Sequence, residues 1–131
     1  MSLKVNAVLG IAMGSSEAGG YVDRKGNITT APEMPGAIDF IRWLHQQGII
    51  VSVGHSNATY EQVQEGIQAG LSHVTHIFNA MRGLHHREPG VVGAALSSTK
   101  LIVEMIADGI HLHPIVLKLS LIHISEPTRP Y

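Results

Sequence analysis

The sequence contains no cysteine, carries almost no net charge and has no long apolar run, and each absence excludes a class of protein. Without cysteine there are no disulfides and no thiolate ligands, so any metal must be held by His, Asp or Glu. The formal net charge of −1 argues against a nucleic-acid or anionic-membrane surface. No window reaches the roughly 18 apolar residues of a membrane span. These absences favour a cytoplasmic protein with neither nucleic acid nor membrane as a partner.

The composition that remains is that of a single folded domain rich in histidine. The chain has 131 residues, of which 44% are hydrophobic and 15% charged, so it can bury one core. Its nine histidines equal the combined count of lysine and arginine. Histidine is therefore the residue type in which a functional site is expected.

Short apolar or β-branched runs alternate with amphipathic segments along most of the chain. The runs predict four strands, at 27–33, 49–54, 73–78 and 101–107. The segment 79–92 is expected to be a long loop, followed by the small-residue stretch "GAALSS". Strands that alternate with helices predict an α/β fold with a parallel sheet.

The helices have recognisable ends in the sequence. Pro35 suits a first helical turn and Gly48 the residue after that helix. Thr59 and Gln62 match a capping box at the start of the next helix, and "HPIVLKL" begins a last one. In parallel sheets, ligands gather at the C-terminal ends of the strands, which is where His55 and His76 fall, with His111 near the end of the fourth strand.

The two ends of the chain differ from its middle. Residues 1–26 are expected to be a loop-rich lead-in, 27–119 the folded part, and 120–131 a non-native tail. The tail, "SLIHISEPTRPY", interrupts the last predicted helix and resembles an in-frame translation of a transposase-type sequencing adapter. On that interpretation the natural protein continues beyond Leu119, whereas a native extended C-terminus is the alternative.

From about residue 28 to residue 117 the chain resembles the N-acetylglucosamine-6-phosphate deacetylase family of the amidohydrolase superfamily. The resemblance rests on "APEMPGAI", "VSVGHSNATYEQ", "THIFNAM", "LHHREPGVVGAAL" and "IADGIHLHP", in this order. It implies a partial (β/α)8 TIM-type barrel of about four βα units, corresponding to strands four to seven of the family barrel. It also implies metal-dependent conversion of N-acetylglucosamine 6-phosphate to glucosamine 6-phosphate and acetate in amino-sugar catabolism.

The resemblance makes His55 and His76 ligands of one divalent metal, zinc first, with iron, cobalt or manganese as alternatives. From residue chemistry alone, two such histidines are more often hydrogen-bonded residues at the rim of a barrel than metal ligands. His73, three residues before His76, is interpreted as structural.

The resemblance also implies a substrate-binding site formed by Asn79, Ala80, Arg87 and His111. Asn79 and Ala80 would contact the sugar phosphate, although a simple turn is the alternative. Arg87 would bind phosphate through its planar fork, in the family from a neighbouring subunit, which implies a homodimer. His111 would polarise the acetyl carbonyl; alternatively, it forms an H-x-H metal pair with His113.

Two residues of the family's machinery have no counterpart in this sequence. The general-base aspartate is expected beyond Leu119, and Glu17 has no motif around it that matches the family's metal-binding glutamate. This chain is therefore expected to show little or no turnover, and Asp108 is given a local structural role. Other possibilities are a non-catalytic metal-binding, phosphosugar-binding or oligomerisation fragment, or another amidohydrolase.

Overall fold

The computed structural model describes residues 20–124, which form one sheet flanked by helices. The strands are β1 (Gly20–Val22), β2 (Ile28–Thr30), β3 (Val51–Val53), β4 (His73–Val74) and β5 (Ile102–Val103). The helices are α1 (Ala37–Gln46), α2 (Tyr60–Ala69), α3 (Gly90–Ser97) and α4 (Pro114–Ile124). Strands β2 to β5 run parallel in chain order, and β1 pairs antiparallel with β2. The predicted α/β class and parallel sheet are confirmed, while the numbering of the strands within a family barrel stays a prediction.

The two faces of the sheet differ in chemistry. The register places Ile28 beside Val51 and Val53 beside Val74 on one face, and all four are buried in the core. On the other face, the Thr75 hydroxyl lies 3.0 Å from that of Thr29 and 2.7 Å from that of Ser52. Because these hydroxyls bind one another, Thr29 and Ser52 can be buried without leaving their polar atoms unpaired.

The predicted helix ends agree with the structure in most details. Thr59 and Gln62 form both hydrogen bonds of a capping box at the start of α2. Gly48 follows the end of α1 with a φ of 75°, a conformation that glycine adopts without strain. Pro35 stands before the N-cap residue Gly36 and therefore outside the first turn of α1.

Several predicted boundaries are wrong. The strand expected at 73–78 ends at Val74, because His76 adopts a positive φ that no strand can continue. The strand expected at 101–107 is reduced to Ile102–Val103. The loop predicted for 79–92 ends at α3, which also contains most of "GAALSS".

Two elements extend past the predicted boundaries of the folded part, and the division of the chain stays a prediction. Strand β1 lies inside the predicted loop-rich lead-in, and α4 continues through the boundary predicted at Leu119. Residues 1–19, which include Glu17, and residues 125–131 of the predicted tail lie outside the described range. None of the helices between residues 20 and 124 combines the length and apolar character that a membrane crossing requires.

A Gly54→Ala substitution is expected to destabilise the fold, because a Cβ there would lie 2.7 Å from Thr29 Cγ2 and 3.0 Å from Thr75 Cβ. Overpacking of this kind costs about 1–3 kcal/mol in the free energy of unfolding, measurable by urea denaturation. Gly83→Ala is the matched control, since nothing lies within 4 Å of its added methyl. The control should change stability by less than about 0.5 kcal/mol. Equal effects of the two substitutions would contradict this account.

Candidate metal and substrate site

The parallel register of β3 and β4 brings His55 and His76 together. Val53 pairs with Val74, and the ladder continues with a 2.8 Å hydrogen bond from the Thr75 N–H to the Val53 carbonyl. Each histidine lies two residues beyond its paired valine, so both occupy the same level at the strand ends. Their Nε2 atoms are 3.1 Å apart, and their rings meet edge to face with centroids 4.8 Å apart.

Strained backbone is concentrated in the loops that carry these histidines. Within residues 20–124, the non-glycine residues with positive φ are His55 at 49°, His76 at 33°, Phe78 at 76° and Ala80 at 53°. Such conformations persist only where surrounding contacts over-determine them, and they are frequent at functional sites. The distribution therefore marks the ends of β3 and β4 as the candidate site.

The environment of His55 favours its neutral imidazole, which is the metal-binding form. Partial burial, and secondarily the nearby charge of His76, lower the pKa of the His55 imidazole below its usual value of 6.5. The Nδ1 atom of His76 is buried and has no hydrogen-bond partner in the described part of the chain. A buried polar atom without a partner is unusual, and it lies here on one of the two paired rings.

The histidine pair fits two positions of a tetrahedral metal site. Two nitrogen ligands of Zn²⁺, each at roughly 2.0–2.1 Å, lie about 3.3 Å apart, close to the 3.1 Å between the two Nε2 atoms. A hydrogen bond between one protonated and one unprotonated Nε2 would give the same distance. Among residues 20–124, no group of three His, Cys, Asp or Glu side chains could hold a metal. His55 and His76 could thus supply two ligands of a larger set.

Glu33 and Arg82, which the sequence reasoning missed, connect the loops around His55. The Glu33 carboxylate accepts hydrogen bonds from the Ser56 hydroxyl at 2.7 Å and the Asn57 N–H at 2.5 Å. The Arg82 side chain donates from Nε to the Asn57 carbonyl at 3.0 Å, and the Arg82 main-chain N–H donates to the Ser56 carbonyl at 2.9 Å. The available sequence signal for Glu33 was its position between two prolines after a strand, which indicates a rigid loop.

Asn79 and Ala80 form a tight turn immediately after His76. The Asn79 N–H donates to the His76 carbonyl at 3.0 Å, and its side-chain amide donates to the Ile77 carbonyl at 3.3 Å. Ala80 is exposed and follows in a left-handed conformation. The turn that was considered as an alternative is present, and its location beside the histidine pair is compatible with phosphate binding through main-chain groups.

Arg87 lies in an exposed loop that is anchored by its neighbour Glu88. One carboxylate oxygen of Glu88 accepts from the Tyr60 N–H at 2.6 Å and from the Gly90 N–H at 3.2 Å. It thereby joins the first residues of α2 and α3, where a negative charge is favourable. The guanidinium of Arg87 forms no ion pair with any residue between 20 and 124. The arginine is therefore available to an anionic partner, although the structure does not place it against His55.

His111 and His113 have different environments, so the H-x-H alternative loses its basis. That alternative required both on one strand, whereas β5 ends at Val103. His113 precedes α4, and its Nδ1 accepts from the Ile115 N–H at 3.1 Å. His111 Nδ1 lies 2.6 Å from Asp108 Oδ2. Hydrogen bonds from the His111 and Ile110 N–H groups, then from the His111 ring, lower the pKa of Asp108 to about 2, in agreement with the local structural role expected for this residue.

Several curated proteins are similar in sequence to this chain. N-acetylglucosamine-6-phosphate deacetylase of Vibrio furnissii is 52% identical over 93 residues, which cover 71% of this chain and 23% of that protein. N-acetylgalactosamine-6-phosphate deacetylase of Escherichia coli O157:H7 is 47% identical over 92 residues, covering 70% of this chain and 24% of its own length. No family model matches the chain.

Solved structures of N-acetylglucosamine-6-phosphate deacetylases are also similar to this chain in fold. A mutant of the Mycobacterium smegmatis N-acetyl-D-glucosamine-6-phosphate deacetylase, in complex with N-acetyl-D-glucosamine-6-phosphate, superposes with a TM-score of 0.72 at 41% identity. It matches 73% of this chain and 25% of that one, and the Pasteurella multocida deacetylase likewise has a TM-score of 0.72 at 40% identity. The chain spans about a quarter of the length of these relatives.

The geometry of the histidine pair predicts an unusual titration of His55 in the metal-free chain. Measured by NMR of the imidazole resonances, its pKa should lie below 6.5, and in His76→Ala it should rise but stay below that value, because burial is the larger cause. A lowered pKa means that the unfolded state binds the proton more readily. The contribution of His55 to stability should therefore fall as pH drops through about 6.5. A His55 pKa at or above 6.5 would contradict the observed packing.

Proposed function

The chain is homologous to part of the N-acetylglucosamine-6-phosphate deacetylases, which are hydrolases, and we propose that it forms the metal- and phosphosugar-binding part of such an enzyme. The reaction is hydrolysis of the acetamide of N-acetylglucosamine 6-phosphate to glucosamine 6-phosphate and acetate. The observation that carries the proposal is the convergence of His55 and His76, with 3.1 Å between their Nε2 atoms, at the ends of two parallel strands.

His55 and His76 would hold one divalent cation, with zinc proposed first and iron, cobalt or manganese as alternatives. Such an ion supplies polarisation of the acetamide carbonyl and a lower pKa for the attacking water. The protein's own contribution is to favour the neutral form of His55 and to bring the two imidazoles together at one point. The lowered pKa of His55 and the edge-to-face ring arrangement support that contribution.

The substrate would be oriented by groups on the loops that follow β4 and β5. Main-chain groups of Asn79 and Ala80 suit a phosphate or sugar hydroxyl, and the exposed Arg87 suits a phosphate through paired, charge-assisted hydrogen bonds. In His111, the contact with Asp108 engages Nδ1 and leaves Nε2 to face the acetyl carbonyl. Arg87 would serve a neighbouring subunit, so the proposed enzyme is a homodimer. That assembly and a cytoplasmic location stay predictions.

The identity of the sugar is an open choice between two epimers. One relative at 47% identity is named for N-acetylgalactosamine 6-phosphate, which differs from the glucose epimer only at C4. The proposed substrate-binding residues would contact the phosphate and the acetamide, which both epimers share. We propose the glucose epimer because it is the one named for the Vibrio furnissii and Bacillus subtilis relatives.

Turnover by the isolated chain is expected to be slow. The reaction needs a group that takes a proton from water and returns it to the leaving amine. The family resemblance assigns this role to none of the described residues 20–124. We propose that the chain by itself binds metal or phosphosugar without efficient hydrolysis.

The metal proposal predicts that the purified chain takes up zinc and that the histidine pair is responsible. We expect near-stoichiometric zinc by elemental analysis after equilibration and desalting, and a loss of most of it in the His55→Ala, His76→Ala double variant. His123→Ala, which removes an exposed imidazole from α4, is the matched control and should retain zinc. Equal zinc content in all three proteins would refute the proposed ligands.

The deacetylase proposal predicts that this segment functions within a complete relative. Residues 28–117 should replace the homologous segment of the Vibrio furnissii enzyme and support acetate release from N-acetylglucosamine 6-phosphate. Arg87→Ala in that graft should raise KM for this substrate far more than for unphosphorylated N-acetylglucosamine, since the lost contact is to phosphate. The galactose epimer, assayed in parallel, decides between the two sugars. A folded graft that binds zinc yet releases no acetate from either phosphosugar would exclude the function.

A further inference from the structure

We propose that Glu33 is a positioning residue, which holds the loop after β3 in the shape that directs His55 toward His76. This inference rests on the proposed function only in that the two histidines are taken as metal ligands. Glu33 itself belongs to the loop between β2 and α1. It would act through the two residues that follow His55.

The contacts of Glu33 fix both the backbone and a side chain of the His55 loop. One carboxylate oxygen accepts from the Ser56 hydroxyl at 2.7 Å, and the other accepts from the Asn57 N–H at 2.5 Å. The Ser56 hydroxyl oxygen also accepts from the Ala58 N–H at 3.1 Å, so Ser56 links Glu33 to the segment just before α2. Hydrogen bonds to an ionised acceptor are shorter and stronger than neutral ones, as the short distances here indicate.

The His55 loop needs such a constraint because its backbone is strained. His55 has a φ of 49°, a conformation that a residue with a Cβ adopts only when its neighbours enforce it. The carboxylate fixes the residues after His55 on one side. On the other side, Arg82 donates to the Asn57 carbonyl and to its side-chain oxygen at 3.0 and 3.2 Å. The loop is therefore held between groups that follow β2 and β4.

The loop that carries Glu33 is itself rigid enough to act as a support. Pro32 and Pro35 flank it in the sequence, and each fixes its own φ. Pro32 is buried, and its Cβ lies 3.4 Å from the position that a Cβ on Gly66 of α2 would occupy. The Met34 N–H donates to the Ala31 carbonyl at 3.1 Å, which closes a turn around Glu33. Movement of the carboxylate would thus require movement of packed elements.

The test uses Glu33→Gln in the full 131-residue chain, with Glu65→Gln on the exposed surface of α2 as the control. Glutamine keeps the size but can accept through only one of its two terminal atoms. Two quantities are measured on folded, metal-free protein: the nuclear Overhauser effect between the His55 and His76 ring protons, and the Kd for added Zn²⁺. We expect Glu33→Gln to lose the ring contact and to raise the Kd about tenfold or more, as outer-shell changes do.

The control should retain both the ring contact and the zinc Kd of the parent chain. A folded Glu33→Gln protein that keeps the ring contact overturns the proposal, even if its free energy of unfolding is lower, because a merely structural role would have that result. If Glu33→Gln does not fold, Ser56→Ala removes the same hydrogen bond from the other end, and the ring contact decides in the same way. A parent chain without the ring contact also overturns it.

Failure of the proposed function gives a different result. If the parent chain shows the ring contact but takes up no zinc, the metal assignment fails, while loss of the contact in Glu33→Gln still establishes the positioning role. If zinc binds to the parent and to Glu33→Gln with equal Kd and an intact ring contact, the metal site stands and the role of Glu33 is rejected.

Discussion

The site depends on the parallel register between β3 and β4. Because Val53 is paired with Val74, the residues two positions further along each strand arrive side by side, and both are histidines. A shift of one residue would move every side chain of a strand to the opposite face of the sheet, so the core and the histidine pair are fixed by the same choice. The buried valines that fill the core therefore also bring the two histidines to the same level at the strand ends.

Register alone does not direct two imidazoles toward one another, and the loops supply the rest. Both histidines follow the ends of their strands with positive φ, and their rings meet edge to face. The loop after His55 forms hydrogen bonds to neighbouring loops, from Ser56 and Asn57 to Glu33 and from Arg82 to Asn57. Glu88 does the same for the Arg87 loop, because it joins the starts of α2 and α3. In these loops, charged side chains fix the backbone of neighbouring segments through hydrogen bonds.

The sequence predicted the features that depend on local pattern. It missed those that depend on tertiary burial, on backbone conformation or on contacts between distant residues. The capping box at Thr59 was predictable because both partners lie within one turn. Helix α3 was missed because "GVVGAALS" is apolar on every face, so it has no amphipathic period, and most of its residues are buried. The short extent of β4 was missed because composition cannot reveal the positive φ of His76. The role of Glu33 depends on residues 23 and 24 positions away, a separation no local pattern can show.

The contacts that build the histidine pair are confined to one region of the molecule. The hydrogen bonds that hold His55 and His76 connect β2, β3, β4 and their loops, where the apolar side chains are buried. The large exposed apolar residues are concentrated instead around β5 and α4, with Ile102 63% and Ile110 85% exposed. Large exposed apolar side chains in one region favour association with further protein surface. The histidine pair is therefore built from β2, β3, β4 and their loops, whereas the exposed apolar surface belongs to β5 and α4.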